Sequence, residues 1–234
     1  MAAARDELVK KGLRGARIED ITAACGLSKG AFYLHFDSKE ALFDELVQAF
    51  VAAMEALHSL RLAGLAETEA GVGPLTADDV ARKSPRYQRH LSLEATFDLE
   101  ALEMMWRHRH TMDVLIRGCA GTSFEGLVWT FVEREVARVA EEFRRMQETG
   151  AGRPDVEAEL VAEVVVGAYF LVGKRLSRLR QRPDLGAWAS TLQRLIHEGC
   201  LAASPRPVMR PAPRPAPRSR RAVPSAKRKR RSAP

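Results

Sequence analysis

A chain of 234 residues, 46% of them hydrophobic and with a formal net charge of +7, is long enough to bury one small and one larger core. Its three cysteines, Cys25, Cys119 and Cys200, are odd in number and far apart, with no Cys-x-x-Cys pair; this argues against a disulfide framework and against a bound metal, and leaves them as small hydrophobes. The charge is unevenly placed: residues 204–234 hold 11 of the 37 Lys and Arg and no acid, which leaves 26 cations against 30 acids in residues 1–203, a body near −4 and a tail of +11.

The N-terminus, MAAARDELVKK, has no apolar run behind its charges and does not read as a secretory signal. The most apolar segment, Leu160 to Gly173, is 14 residues long and contains Glu163, short of the ~20 needed to cross a bilayer. A cytoplasmic protein with no membrane partner is expected.

Residues 18–39, IEDITAACGLSKGAFYLHFDSK, carry the strongest signal. Ile18, Ile21 and Ala24 lie at helical spacing, Gly26 supplies the positive φ that a tight inter-helix turn needs, and Leu27 is expected to plug the corner. Ser28 is placed to cap a second helix, with Phe32 and Phe36, four apart, as its inward anchors. The 100° step per residue then turns Gly30 and Leu34 outward, flanked by Ala31 and Tyr33, with Lys29 at the helix start. This is a helix-turn-helix with a face suited to a DNA groove: glycine admits a phosphate backbone, leucine meets a thymine methyl, and tyrosine and lysine donate to phosphate or base edges. The same pattern also fits an ordinary helical hairpin whose Tyr33 and Leu34 pack into some other interface.

The run from Gly12 to Leu42 resembles the DNA-binding domain of tetracycline-repressor (TetR) family regulators. The resemblance is carried by Gly12, Ile18, Ile21, Ala24, Gly26 to Ser28, Phe32 to Phe36, Lys39, Glu40 and Leu42. It implies that Ser28, Lys29, Gly30, Ala31, Tyr33, Leu34 and His35 face the groove and that Lys39, opening helix 4, holds a phosphate. Three departures stand out. Ala31 and Leu34 replace residues that are often Thr or Ser and an aromatic, leaving fewer polar base readers. Arg17 replaces a Thr that often caps helix 2, losing the cap but adding a cation beside the DNA backbone. Helix 1 of the family also extends a further turn behind a short polar arm, which leaves the true start codon open.

Downstream, Lys39 to about Leu65 reads as one helix with Leu42, Leu46, Ala49, Phe50, Ala53, Met54 and Leu57 on one face. Gly71, Gly73 and Pro74 break it; Thr76 with Asp79, and Ser84 before Pro85, read as caps of the next helices. Amphipathic runs follow at 87–117 and 122–148, then 155–182 and 185–203 after Gly150, Gly152 and Pro154. No period-two alternation occurs, so the expected fold is all-α: a three-helix DNA-binding head over 1–46, a helical effector-binding and dimerisation body over 47–203, and a disordered Pro/Arg/Lys-rich tail over 204–234.

Wide apolar stripes on the last two helices, including Val161, Val165, Tyr169, Trp188, Leu192 and Leu195, suit either internal core or a homodimer interface; the resemblance implies a four-helix bundle formed with their copies. Met104, Met105, Trp106, Met112, Phe124, Trp129 and Phe170 offer adaptable apolar walls for a small apolar or amphipathic effector, and core packing explains most of them as well. No nucleophile-base pair, phosphate loop or paired carboxylate is apparent, so neither an enzyme nor a cofactor is expected. Two functions fit: a homodimeric repressor on a pseudo-palindromic operator in double-stranded DNA, released by its effector, or an architectural protein that coats DNA through its basic tail.

Overall fold

The computed structural model describes residues 2–200, with side chains from 4 to 196; the tail predicted over 204–234 lies outside the described residues. The described residues form ten helices and no strand: α1 (Ala2–Gly15), α2 (Ile18–Cys25), α3 (Lys29–Tyr33), α4 (Lys39–Glu69), α5 (Ala77–Arg82), α6 (Pro85–Arg107), α7 (Arg109–Arg117), α8 (Leu127–Glu148), α9 (Ala158–Leu176) and α10 (Leu185–Cys200).

Local chemistry sets most of the boundaries. Ser28 and Ser38 accept from the amides of Ala31 and Ala41, each at 3.0 Å, and so start α3 and α4. Thr76 and Asp79 form a reciprocal capping box on α5, and Ser84 caps α6 with Pro85 in its first turn. The run predicted at 87–117 is two helices, because the chain turns at His108 with no Gly or Pro to mark it. The run predicted from 122 begins only at Leu127, since Gly121 and Gly126 take φ of 72° and 84° in the intervening turn.

The head core contains Leu8, Leu13, Ile21, Phe32, Leu42, Phe43 and Leu46, and continues without a gap into Val114, Cys119 and Phe124 of the body. A second core of Phe50, Leu102, Met104, Met105, Met112, Leu176 and Leu185 fills the body. Because α4 runs through both, its first turns belong to the head and its middle to the body. Its apolar face is Leu42, Phe43, Leu46, Val47 and Phe50; Ala49, expected on that face, is exposed. Among the described helices α4 also has the length and composition of a membrane span, with a mean hydropathy of 1.2 over 18 residues, although no segment was expected to have that property. A buried polar contact ties α7 to α9: Ser177 donates to Asp113 at 3.1 Å, and Arg117 donates to the same carboxylate.

Candidate nucleic-acid interface and effector cavity

The turn between α2 and α3 forms as the sequence predicts. Gly26 sits in the left-handed region at φ 67°, ψ 26°, and the Leu27 amide donates to the Thr22 carbonyl at 2.9 Å. Two details differ. Leu27 is 55% exposed and plugs nothing, and Ala24 is exposed; the inward face of α2 is Ile18, Ile21, Thr22 and Cys25. Thr22 is buried because its hydroxyl bonds back to the Ile18 carbonyl at 2.9 Å, so it needs no water.

Phe32 is buried, and Phe36 packs against it with ring centroids 5.5 Å apart, although regular helix ends at Tyr33. These anchors fix the opposite face. Leu34 is 82% exposed and Tyr33 49%, a combination of large apolar side chains that water alone does not favour. Ser28, Lys29, Gly30 and His35 are exposed beside them, and Ala31 is half-buried. Arg17 occupies the N-cap position of α2 with no side-chain cap, leaving its guanidinium on the surface. Lys29 pairs with Glu19 at 2.6 Å across the exposed edge of the head. Lys39 is engaged within the head, where its ammonium donates to the carbonyls of Arg14 and Ala16, both at 2.9 Å, and so closes the end of α1.

Within the body lies a cavity of about 330 Å³ bounded by α4, α6, α7, α8 and α9. Four of the predicted wall residues line it: Met104, Met105, Met112 and Phe170. Three do not. Phe124 belongs to the head core, edge-on to Phe43 at 5.0 Å; Trp129 is 58% exposed and lies tilted against Phe170, ring centroids 5.6 Å apart; Trp106 packs in the body core under Arg109, 4.2 Å from its ring.

The cavity also has a polar wall, none of whose residues was predicted to line it; Tyr169 was expected on the dimer stripe instead. Arg61 of α4 donates to both oxygens of Glu94 on α6, at 2.9 and 3.0 Å, and to Glu142 on α8 at 2.6 Å. Burial opposes the guanidinium's charge, but the two carboxylates outweigh it and hold its pKa above the ordinary value. One turn along α6, Asp98 receives the Tyr169 hydroxyl and is pushed up to about 6 by burial. Burial also raises Glu135 and lowers His58. The i, i+4 spacing of Glu94 and Asp98 was the available signal, but their partners are 33 and 71 residues away, beyond local pattern.

Most of the predicted interface residues turn inward. Val161 is buried with Phe143, Val165 lines the cavity, and Tyr169, Trp188 and Leu192 pack on the body core, Trp188 beneath Arg175. The exposed apolar residues of α9 and α10 are instead Leu160, Val164, Leu171 and, from the predicted set, Leu195 at 70%. A helix apolar on nearly all sides gives no sequence cue to which stripe faces its own core. Among the described residues no cluster of three potential metal ligands occurs. Cys119 is buried, with its thiol pushed up to about 11 by that burial, and is correspondingly unreactive.

An exposed face on an anchored short helix, set on a helical body with a cavity, defines an all-α protein with a helix-turn-helix head. Residues 1–46 match the family described as bacterial regulatory proteins, tetR family. Two curated relatives match over short stretches. An uncharacterised HTH-type transcriptional regulator, YerO of Bacillus subtilis (strain 168), is 64% identical over 33 residues, 14% of this chain and 11% of that protein. The HTH-type transcriptional repressor KstR2 of Rhodococcus jostii (strain RHA1) is 43% identical over 42 residues, 18% of this chain and 21% of that one. The chain thus spans about a tenth to a fifth of the length of these relatives. The fold match is wider: the ketosteroid transcriptional regulator KstR2 of Mycobacterium tuberculosis superposes with a TM-score of 0.58 at 17% identity, over 86% of this chain and 92% of that one. Residues 1–46 are thus a tetR-family DNA-binding domain, and the remainder of the chain is matched by fold alone.

Proposed function

We propose that this protein is a homodimeric transcriptional repressor, acting in the cytoplasm, whose recognition helix reads the major groove of a pseudo-palindromic operator and which a small apolar or amphipathic effector releases. The observation that carries the reading is Leu34, 82% exposed at the C-cap of a short helix whose buried Phe32, packed on Phe36, anchors it from behind. Residues 1–46 act as the head and 47–203 as the body. Repression, as the sign of control, follows the relative from Rhodococcus jostii, a repressor. The exposed stripe of Leu160, Val164, Leu171 and Leu195 is the surface on which two copies pair, placing two heads on one operator.

Release works through α4. Its first turns lie in the head core through Leu42, Phe43 and Leu46, and its middle turns line the cavity through Phe50, Met54, Leu57 and Arg61. An effector that fits the cavity better in one position of α4 shifts the population of head spacings, and an operator with fixed half-site spacing tolerates only some of them. Selection of duplexes from a random pool by the purified full chain tests this. A two-fold related motif with half-sites one or more helical turns apart is expected; recovery of no motif overturns the reading in favour of sequence-independent coating.

A further inference from the structure

Six acidic and basic side chains line the cavity: Arg61 and Arg138 against Glu94, Asp98, Glu135 and Glu142. Both guanidiniums are committed, Arg61 to Glu94 and Glu142, and Arg138 to Glu135 and Glu55 at 3.3 Å each. Among the described residues, Asp98 receives the Tyr169 hydroxyl and has no cation within ion-pair distance. The lining otherwise consists of Phe, Met, Leu, Ile, Val and Ala side chains, with His58 and the Tyr169 ring. A carboxylate at such an apolar wall is under-compensated, and an added cation would satisfy it whereas an added anion would meet a wall that is already negative.

Resting on the reading of this cavity as the effector site, we propose that the effector is an amphipathic cation: a hydrocarbon or aromatic body carrying one primary or secondary amine, its ammonium on the Asp98 carboxylate beside the Tyr169 hydroxyl. The apolar body lies against Phe97, Met105, Met112 and Phe170, where no polar group asks for a partner. Arg61 does not compete for Asp98, because Glu94 and Glu142 hold its donors on the neighbouring turn. Of the titratable groups that share the cavity wall, Tyr169 from α9, Glu94 on its own helix and Arg61 from α4 act on Asp98, and His58 from α4 with Glu135, Arg138 and Glu142 from α8 complete the charged lining; among the described residues of α10, Ile196 reaches the wall. Burial, which raises the Asp98 pKa, makes the site sensitive to acid, since protonating this carboxyl removes the charge that the ammonium meets.

The test is calorimetric titration of the full chain with three probes of one chain length, decylamine, decanol and decanoate, all below their aggregation concentrations. A charge-assisted contact on a half-buried carboxylate predicts decylamine tighter than decanol by about tenfold or more, with decanoate weakest. In Asp98→Asn the ratio of amine to alcohol falls to within roughly threefold, because a neutral amide keeps a hydrogen bond and loses the charge. In the wild type, the amine weakens between pH 7.5 and pH 5 while the alcohol does not. Decanoate binding as tightly as decylamine, or an amine preference that survives Asp98→Asn, overturns the assignment and leaves the cavity an effector site for another class. Failure of all three probes to bind overturns the effector site itself. If the variant does not fold, the wild-type ranking of the three probes still decides.

Discussion

The amide of Leu13 donates to the carbonyl of Gly118 at 3.0 Å, and through that bond the first helix of the head is pinned to the end of α7. Gly12 and Gly118 meet backbone to backbone there. A Cβ on Gly118 would stand 3.1 Å from the Val114 carbonyl oxygen and 3.2 Å from the Gly12 Cα, and Gly12 itself takes φ 68°. Since α7 also carries Met112, Leu115 and Ile116 to the cavity, this contact is a second mechanical path, beside α4, from cavity to head.

Gly118→Val is therefore expected to part α1 from α7. Overpacking of backbone against backbone costs about 1 to 3 kcal/mol, so the midpoint of urea unfolding should fall accordingly. Gly118 itself takes an ordinary φ of −106°, so the loss reports crowding and not backbone strain. An unchanged midpoint would show that the close packing at Gly118 contributes nothing.

Tyr33→Ala and Leu34→Ala should each weaken binding to a selected operator by about 1 to 3 kcal/mol while leaving the melting temperature nearly unchanged, because both side chains are exposed and the buried Phe32 still anchors the helix. Gel shifts paired with thermal melts check both halves. A collapsed melt would place these residues in a core that the reading face does not contain, and unchanged affinity would remove them from that face.

What could be read in advance was whatever a few neighbouring residues decide. Ser28 caps Ala31, Gly26 turns left-handed and Thr76 with Asp79 forms a box, each within three residues of chain. Leu27 and Ala24 were misplaced because a short helix offers too few positions for its spacing to fix one inward direction. On α9 the periodicity failed differently: Val161 and Val165 face inward, Leu160 and Val164 outward, and both stripes are equally apolar. The Arg61 cluster joins residues 33 and 81 positions apart, which only the tertiary fold brings together.

Asp98 should make stability pH-dependent. Its carboxyl titrates at about 6 in the folded chain against an ordinary 3.8, so the folded state binds the extra proton across that window. The resulting cost is absent below the lower value, grows as pH rises through the window and is complete above it. Asp98→Asn keeps an acceptor for Tyr169 and removes the charge, so at pH 7.5 it should be more stable than wild type by about 1 to 3 kcal/mol, and near pH 4 equal to it. Unfolding curves at the two pH values measure the difference; a variant less stable at pH 7.5 would mean that the ionised carboxylate is already compensated.

Val164→Glu tests the pairing surface. At 61% exposure the new carboxylate is solvated in a monomer and adds nothing to its cost, whereas two copies facing each other across a two-fold axis would bury like charges. Sedimentation at micromolar concentration should show wild-type dimers and variant monomers. Wild-type monomers would exclude the stripe as an interface, and dimers of both would move the interface elsewhere.

The last prediction concerns where DNA affinity comes from. The head is a poor cation: residues 1–46 contain seven Lys and Arg against eight Asp and Glu. Several of those cations are engaged locally, Lys11 with Asp20 at 2.9 Å, Lys29 with Glu19 and Lys39 with two carbonyls. Residues 204–234, by contrast, bring eleven cations and no acid. Ending the chain at residue 203 should therefore weaken specific and random duplexes by similar factors and leave the ratio between them nearly unchanged, since no groove-facing side chain is lost. If about four to six of the tail's cations meet phosphates at once, the slope of log affinity against log salt should shallow by roughly 4 to 5, at ~0.9 per phosphate. Titrations of the two chains over a salt series decide it. Identical slopes would assign the phosphate contacts to the head despite its charge, and a lost operator preference would show that the tail helps to read sequence.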